Sequence, residues 1–211
     1  MHYTMNYDNS EMSVGYLRVM HTVPDAPNVD IYANENLIVS NLAYGDYTDY
    51  LTIPVGTYRI SVYAAGTKDS PVIENMLTVN KNSILTVAAV GTLSNIGLLA
   101  VKDANGKKEP GKAMIRFLHL SPNAPAVDIT LPNGTVIFSN VSFKEVTPYI
   151  GVDPMNYTLQ VRVAGTPNVV LTVPNINLMA DKYYTVYAIG LVGEKPELEA
   201  LLVTDGEYRN K

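Results

Sequence analysis

Two stretches, TYRISVY at residues 57–63 and YTLQVRV at residues 157–163, decide how this chain folds. In the first, Tyr58, Ile60 and Val62 alternate with Arg59 and Ser61; in the second, Tyr157, Leu159, Val161 and Val163 alternate with Thr158, Gln160 and Arg162. Period-two alternation carried by β-branched residues and tyrosine marks a half-buried strand. A slip of one residue would turn every side chain to the wrong face. Two diverged stretches that keep one parity therefore fix which face is buried.

Both stretches belong to a longer echo. HTVPDAPNVDIY, beginning at His21, returns as HLSPNAPAVDIT, beginning at His119. Ser40-Asn41 returns as Ser139-Asn140, Ala65-Gly66-Thr67 as Ala164-Gly165-Thr166, and TVAAVG from Thr86 as TVYAIG from Thr185. A period of about a hundred residues is too long for a solenoid and matches a whole small domain. The same reasoning predicts strands near 15–21, 29–33, 37–40, 57–63, 72–79, 83–90 and 96–101, and again near 113–119, 127–131, 135–139, 157–163, 169–173, 183–189 and 198–203. Breaks fall at Pro54-Val55-Gly56 and Pro132-Asn133-Gly134, and helical periodicity is almost absent. The expected fold is all-β, with two tandem immunoglobulin-like β-sandwich domains of about seven strands each. The expected organisation is a flexible tail over 1–13, a first sandwich over 14–103, a polar linker over 104–112 and a second sandwich over 113–211. Each sandwich is expected to hold an independent core and to fold alone.

Composition narrows the function classes. The chain has 211 residues, 47% of them hydrophobic, yet no apolar run reaches the roughly 18 residues of a membrane span. The first 106 residues carry 5 Lys+Arg against 10 Asp+Glu, and the remainder 10 against 10. Neither half has the basic surface that a phosphate backbone requires, so nucleic acid is not an expected partner. The absence of cysteine removes disulfides, thiolate metal sites and cysteine nucleophiles. The opening MHYTMNYDNSEMSVGY has neither a basic start nor an apolar stretch and does not read as a signal peptide.

The pattern R-x-x-H-x-x-P-x-A-P-x-V-D spans Arg18–Asp30 and recurs over Arg116–Asp128. Its fixed residues are Arg18, His21, Pro24, Pro27 and Asp30, answered by Arg116, His119, Pro122, Pro125 and Asp128. Leu17, Val19 and His21 share one strand face, repeated by Ile115, Phe117 and His119. That parity places each histidine at the end of the core face, beside a proline-stiffened loop whose carbonyls need partners. Arg18 and Asp30 have the opposite parity and are expected to pair across strands. The signature thus reads as structural. A metal site would need more ligands than one histidine and a few carboxylates per copy. A calcium site at Asp25 or Asp30 is disfavoured by Asn123, which replaces Asp25 in the second copy. No metal or cofactor is expected.

With these motifs the chain resembles a bacterial, extracytoplasmic family of proteins of unknown function (domain of unknown function 4397). The resemblance covers nearly the whole chain beyond its first dozen residues. It implies a structural or adhesive role at a cell or spore surface, with protein or glycan partners.

Catalytic constellations are missing: there is no G-x-S-x-G elbow, no H-E-x-x-H and no phosphate-cradling glycine loop. The expectation is a non-enzymatic protein without catalytic residues. The feature with a functional slant is tyrosine, 15 residues against no tryptophan. AYGDYTDY places Tyr44, Tyr47 and Tyr50 in one segment, a platform for a sugar ring or a peptide. Phe143 and Tyr149 answer Tyr44 and Tyr50, whereas Val146 answers Tyr47, which is expected to be exposed while Tyr50 and Tyr149 are largely buried.

Overall fold

The computed structural model of the chain describes residues 13–104 and 109–206. The tail expected at 1–13 lies outside them apart from Ser13, as does the middle of the linker expected at 104–112.

The first repeat runs β1 (Val14–His21), β2 (Val29–Ala33), β3 (Asn36–Leu42), β4 (Leu51–Pro54), β5 (Gly56–Ala64), β6 (Ile73–Val79), β7 (Ile84–Val90) and β8 (Gly97–Lys102). The second follows with β9 (Ala113–His119), β10 (Val127–Thr130), β11 (Val136–Val141), β12 (Ile150–Val152), β13 (Asn156–Val163), β14 (Val169–Asn177), β15 (Tyr183–Ile189) and β16 (Glu199–Asp205). Each copy is therefore a β-sandwich of eight strands. The added members, β4 and β12, are edge strands of four and three residues, too short for a period to stand out in the sequence.

The sheets are β4-β1-β7-β8 and β3-β2-β5-β6 in the first repeat, and β12-β9-β15-β16 and β11-β10-β13-β14 in the second. All pairs are antiparallel except β1 with β7 and β9 with β15, which are parallel. Between its two sheets each repeat encloses a core. Leu17, Val19, Ile31, Ile60, Val62 and Val87 fill the first, and Ile115, Phe117, Ile129, Leu159, Val161 and Val186 fill the second.

A third core lies between the repeats. Met20, Ala88, Val90 and Val101 from the outer face of the β4-β1-β7-β8 sheet pack with Leu118, Leu120, Tyr187, Ile189 and Val203 from the matching sheet of the other copy. The two sandwiches are thus stacked back to back, joined by a shared apolar layer in addition to their own interiors. Each repeat keeps the core of its own that was expected, and the addition is that the strand face opposite the sandwich core is also buried. Strands β7, β9 and β15 are buried at every position, as strands covered on both faces must be.

Candidate functional site

The contact between the repeats is built around four charges. Arg18 on β1 sends Nη1 to Asp205 Oδ1 at 2.9 Å and Nη2 to the Thr204 carbonyl at 2.6 Å. Arg116 on β9 reaches in the opposite direction, pairing through Nη2 with Asp103 and donating Nη1 to the Lys102 carbonyl at 2.8 Å. Each repeat's arginine thus binds an aspartate at the end of the other repeat's last strand, Asp205 closing β16 and Asp103 following directly on β8. Arg18 is 4% exposed and Arg116 3%, and both partner carboxylates are buried. The expected pairing of Arg18 with Asp30 does not occur. Position 18 faces the neighbouring sandwich, which brings in a carboxylate 187 residues away.

Neutral donors from within each repeat complete the arrangement. Asp103 Oδ2 accepts from Thr86 Oγ1 at 2.6 Å and from Tyr50 Oη at 2.7 Å. Asp205 Oδ2 accepts from Tyr149 Oη at 2.7 Å and from Thr185 Oγ1. The Tyr50 ring lies 4.2 Å from the Arg18 guanidinium and the Tyr149 ring 4.4 Å from that of Arg116, so each arginine is also stacked on an aromatic face. Burial and the nearby Asp205 push the Asp103 carboxyl up, against the opposing pull of Arg116 and the two hydroxyls. Burial pushes the Tyr50 and Tyr149 hydroxyls well above the usual phenol range, so they remain donors. A buried ion pair is tolerable when hydrogen bonds satisfy its remaining lone pairs and protons, and these carboxylates are met in that way.

The sequence holds a signal for Asp103 and Asp205, since Val101-Lys102-Asp103 and Val203-Thr204-Asp205 close the two copies alike. The sequence reading placed Asp103 as the last residue of the first sandwich and assigned no role to either aspartate. Nothing local to the end of a repeat says that its carboxylate enters a second domain.

The other signature residues lie at the loop ends of each sandwich. His21 Nε2 donates to the Pro27 carbonyl at 3.0 Å, and its Nδ1 accepts from the Val23 N–H at 3.3 Å, so the ring is neutral. His119 Nε2 makes the same bond to the Pro125 carbonyl at 3.0 Å. Burial holds both histidines below the ordinary imidazole range. The loops carrying Pro24 and Pro122 are thereby fastened to the ends of β1 and β9.

Asp30 ties three echoes of the sequence together. Its Oδ1 accepts from the Asn41 N–H at 2.7 Å and its Oδ2 from the Gly66 N–H at 2.9 Å. Asp128 does the same with Asn140 and Gly165, at 2.7 and 2.8 Å. Asn41 and Asn140 have positive φ, beside a register shift between β2 and β3 and between β10 and β11. The carboxylate therefore caps a bulge that would leave backbone N–H groups unpaired. Asp25 accepts from the Leu93 N–H, and Asn123, its counterpart, accepts from the Val192 N–H. That shared task explains how asparagine replaces aspartate there. Among the described residues no three His, Asp or Glu side chains gather as metal ligands.

A family model described as Domain of unknown function (DUF4397) matches residues 15–130 and 131–210. The chain belongs to this family. The first matched segment runs past the first sandwich through β10, so the family's span does not coincide with the structural repeat. No curated protein matches the sequence. No helix among the described residues is long and apolar enough to cross a membrane.

The segment Tyr44–Tyr50 does not form one aromatic platform. Tyr44 packs against the core between the repeats, and Tyr50 turns its hydroxyl to Asp103. Tyr47 is 44% exposed, with the Arg18 guanidinium 5.6 Å from its ring centroid. Tyr50 and Tyr149 are half-buried.

Proposed function

We propose that this chain is a non-enzymatic structural or adhesive module at a bacterial cell or spore surface, with its two sandwiches joined into one stiff unit. The buried exchange of Arg18 with Asp205 and of Arg116 with Asp103 carries this reading. The strongest ionic groups of the signature serve the joint between domains, and the histidines serve loop anchorage. Neither set is left to meet a substrate. A stack held by reciprocal charge pairs and a shared apolar core resists bending at the linker, as a surface building block requires.

The experiment is antibody labelling of intact cells and spores. Labelling without permeabilisation is expected. A protein detected only inside vegetative cells would overturn the surface assignment.

A second reading, recognition of a glycan or peptide through the exposed tyrosines of the first repeat, is favoured by the exposure of Tyr47. With Tyr44 and Tyr50 engaged between the repeats, it depends on Tyr47 alone, and Tyr47→Ala tests it.

A further inference from the structure

We propose that the outer face of the first repeat's β3-β2-β5-β6 sheet is a saccharide-binding cleft formed by Tyr32, Tyr63, Arg59, Glu35, Glu74 and Lys68. The cleft has a volume of about 310 Å³, at the lower end of the range for small-molecule sites. It lies on the side of the sandwich away from the other repeat. It neither uses Tyr47 nor rests on the structural reading above.

The register builds the cleft. Tyr32 stands opposite Ser61, Ser61 opposite Glu74, and Tyr63 opposite Asp30, so these side chains share one face across β2, β5 and β6. The two phenol rings meet edge to face with centroids 5.4 Å apart. Lys68 Nζ stands 4.5 Å from the centre of the Tyr32 ring, carried on an exposed stem that can turn its donors toward an entering hydroxyl. Arg59 Nη2 pairs with Glu35 Oε1 at 2.8 Å, and Ser61 Oγ donates to Glu74 Oε2 at 3.3 Å.

That inventory matches one ligand chemistry. A pyranose ring presents apolar C–H faces and a rim of hydroxyls that both donate and accept. The cleft presents apolar rings with polar tips, two cationic donors and two carboxylate acceptors, with no net charge. A nucleotide or another polyanion would meet Glu35 and Glu74, and an apolar ligand would strand four charges.

The second repeat supplies an internal control. Opposite Gln160 and Asp128 it carries Thr130 and Arg162, where the first repeat has Tyr32 and Tyr63. Arg162 Nη2 donates to Gln160 Oε1 at 2.7 Å, and Thr130 is buried. The same sheet is therefore built without either ring. The buried signature is kept in both copies while this face diverges, so its aromatic and charged groups answer to something other than the fold.

The test uses the full chain and a panel of soluble probes: β-1,4-linked gluco-, xylo-, manno- and N-acetylglucosamine oligosaccharides, and α-linked glucans. At least one probe is expected to bind saturably in calorimetry, with amide NMR shifts centred on Tyr32, Ser61 and Tyr63. Tyr32→Ala and Glu74→Gln should each weaken that binding about tenfold or more, while Tyr47→Ala and Arg162→Ala leave it unchanged. Glu74 is exposed, so its variant carries the test if Tyr32→Ala unfolds the sheet. Failure of every probe overturns the proposal, as does binding that survives Glu74→Gln and Tyr63→Ala. Loss on Tyr47→Ala alone overturns it in favour of the other face.

Discussion

Arg18 Nη1 and Asp205 Oδ1 lie 2.9 Å apart at a sequence separation of 187, joining the first strand of one sandwich to the last strand of the other. Arg116 and Asp103 complete the exchange in the reverse sense. The two repeats thus form an intramolecular pseudo-dimer with an isologous contact, in which each copy offers the same arginine and receives the same aspartate. This gives the arginine of the repeated signature its physical reason.

Removing one member of such a pair leaves its partner's charge buried and unmet. Arg18→Ala is expected to cost about 3–5 kcal/mol in urea unfolding. Arg59→Ala, which breaks the exposed pair with Glu35, should cost about 0–1 kcal/mol. Equal losses would mean that the inter-repeat pair contributes no more than a surface contact.

The shared core predicts cooperativity. Met20 is fully buried between the repeats, and Met20→Ala should cost about 2–5 kcal/mol. Calorimetry of the whole chain should show one transition, with melting of both repeats lowered together by that substitution. Separate halves would expose Met20, Val90, Val101 and a buried arginine on one, and Leu118, Leu120 and Ile189 on the other. They are expected to be poorly soluble apart and to associate when mixed. Two resolved transitions, or two well-behaved monomeric halves, would refute the shared core.

The strand parity and the repeat were legible in the sequence because alternation is a local property. Tyr58, Ile60 and Val62 announce their face whatever lies beyond it. The joint between the repeats was legible only in part. TVAAVG and TVYAIG are nearly unbroken apolar runs, the pattern of strands covered on both faces, whereas a sandwich exposed on one side would alternate. On the neighbouring strand β1 Arg18 places a charge on the covered face, and its partner is chosen by the packing of two domains, which no local period encodes. β4 and β12 were missed because LTIP and IGV are too short to show a period.

The histidines give a pH prediction. Burial lowers the affinity of His21 and His119 for protons in the folded protein below the ordinary value of 6.5. The unfolded chain therefore binds protons first as the pH falls, and stability declines from about pH 7 downward until the folded-state values are reached. Above that range the imidazoles are neutral in both states and contribute no slope. His21→Ala should flatten part of this acid limb. It should also cost about 1–3 kcal/mol at neutral pH, since the Pro27 carbonyl and the Val23 N–H lose their partner. Unfolding midpoints across pH 5–8 check both, and an acid limb unchanged in the variant would assign it to other groups.

Tyr50 and Tyr47 sit three residues apart, yet the structure assigns them different work. Tyr50 Oη donates to a buried carboxylate at 2.7 Å, and its ring lies against the Arg18 guanidinium. Tyr50→Phe keeps the ring and removes the hydroxyl, which also accepts from the Gly206 N–H at 3.4 Å, so its cost reports chiefly the shorter hydrogen bond to a charged acceptor, about 1.5–3 kcal/mol. Tyr149→Phe should cost a similar amount, because Tyr149 holds Asp205 at the same 2.7 Å. Tyr47 is exposed, and Tyr47→Phe keeps the ring beside the Arg18 guanidinium, so it should stay within about 0.5 kcal/mol of the parent, as expected of a surface change. Urea midpoints of the three variants test the contrast. If Tyr50→Phe and Tyr47→Phe cost the same, the Tyr50 hydroxyl is not part of the joint between the repeats.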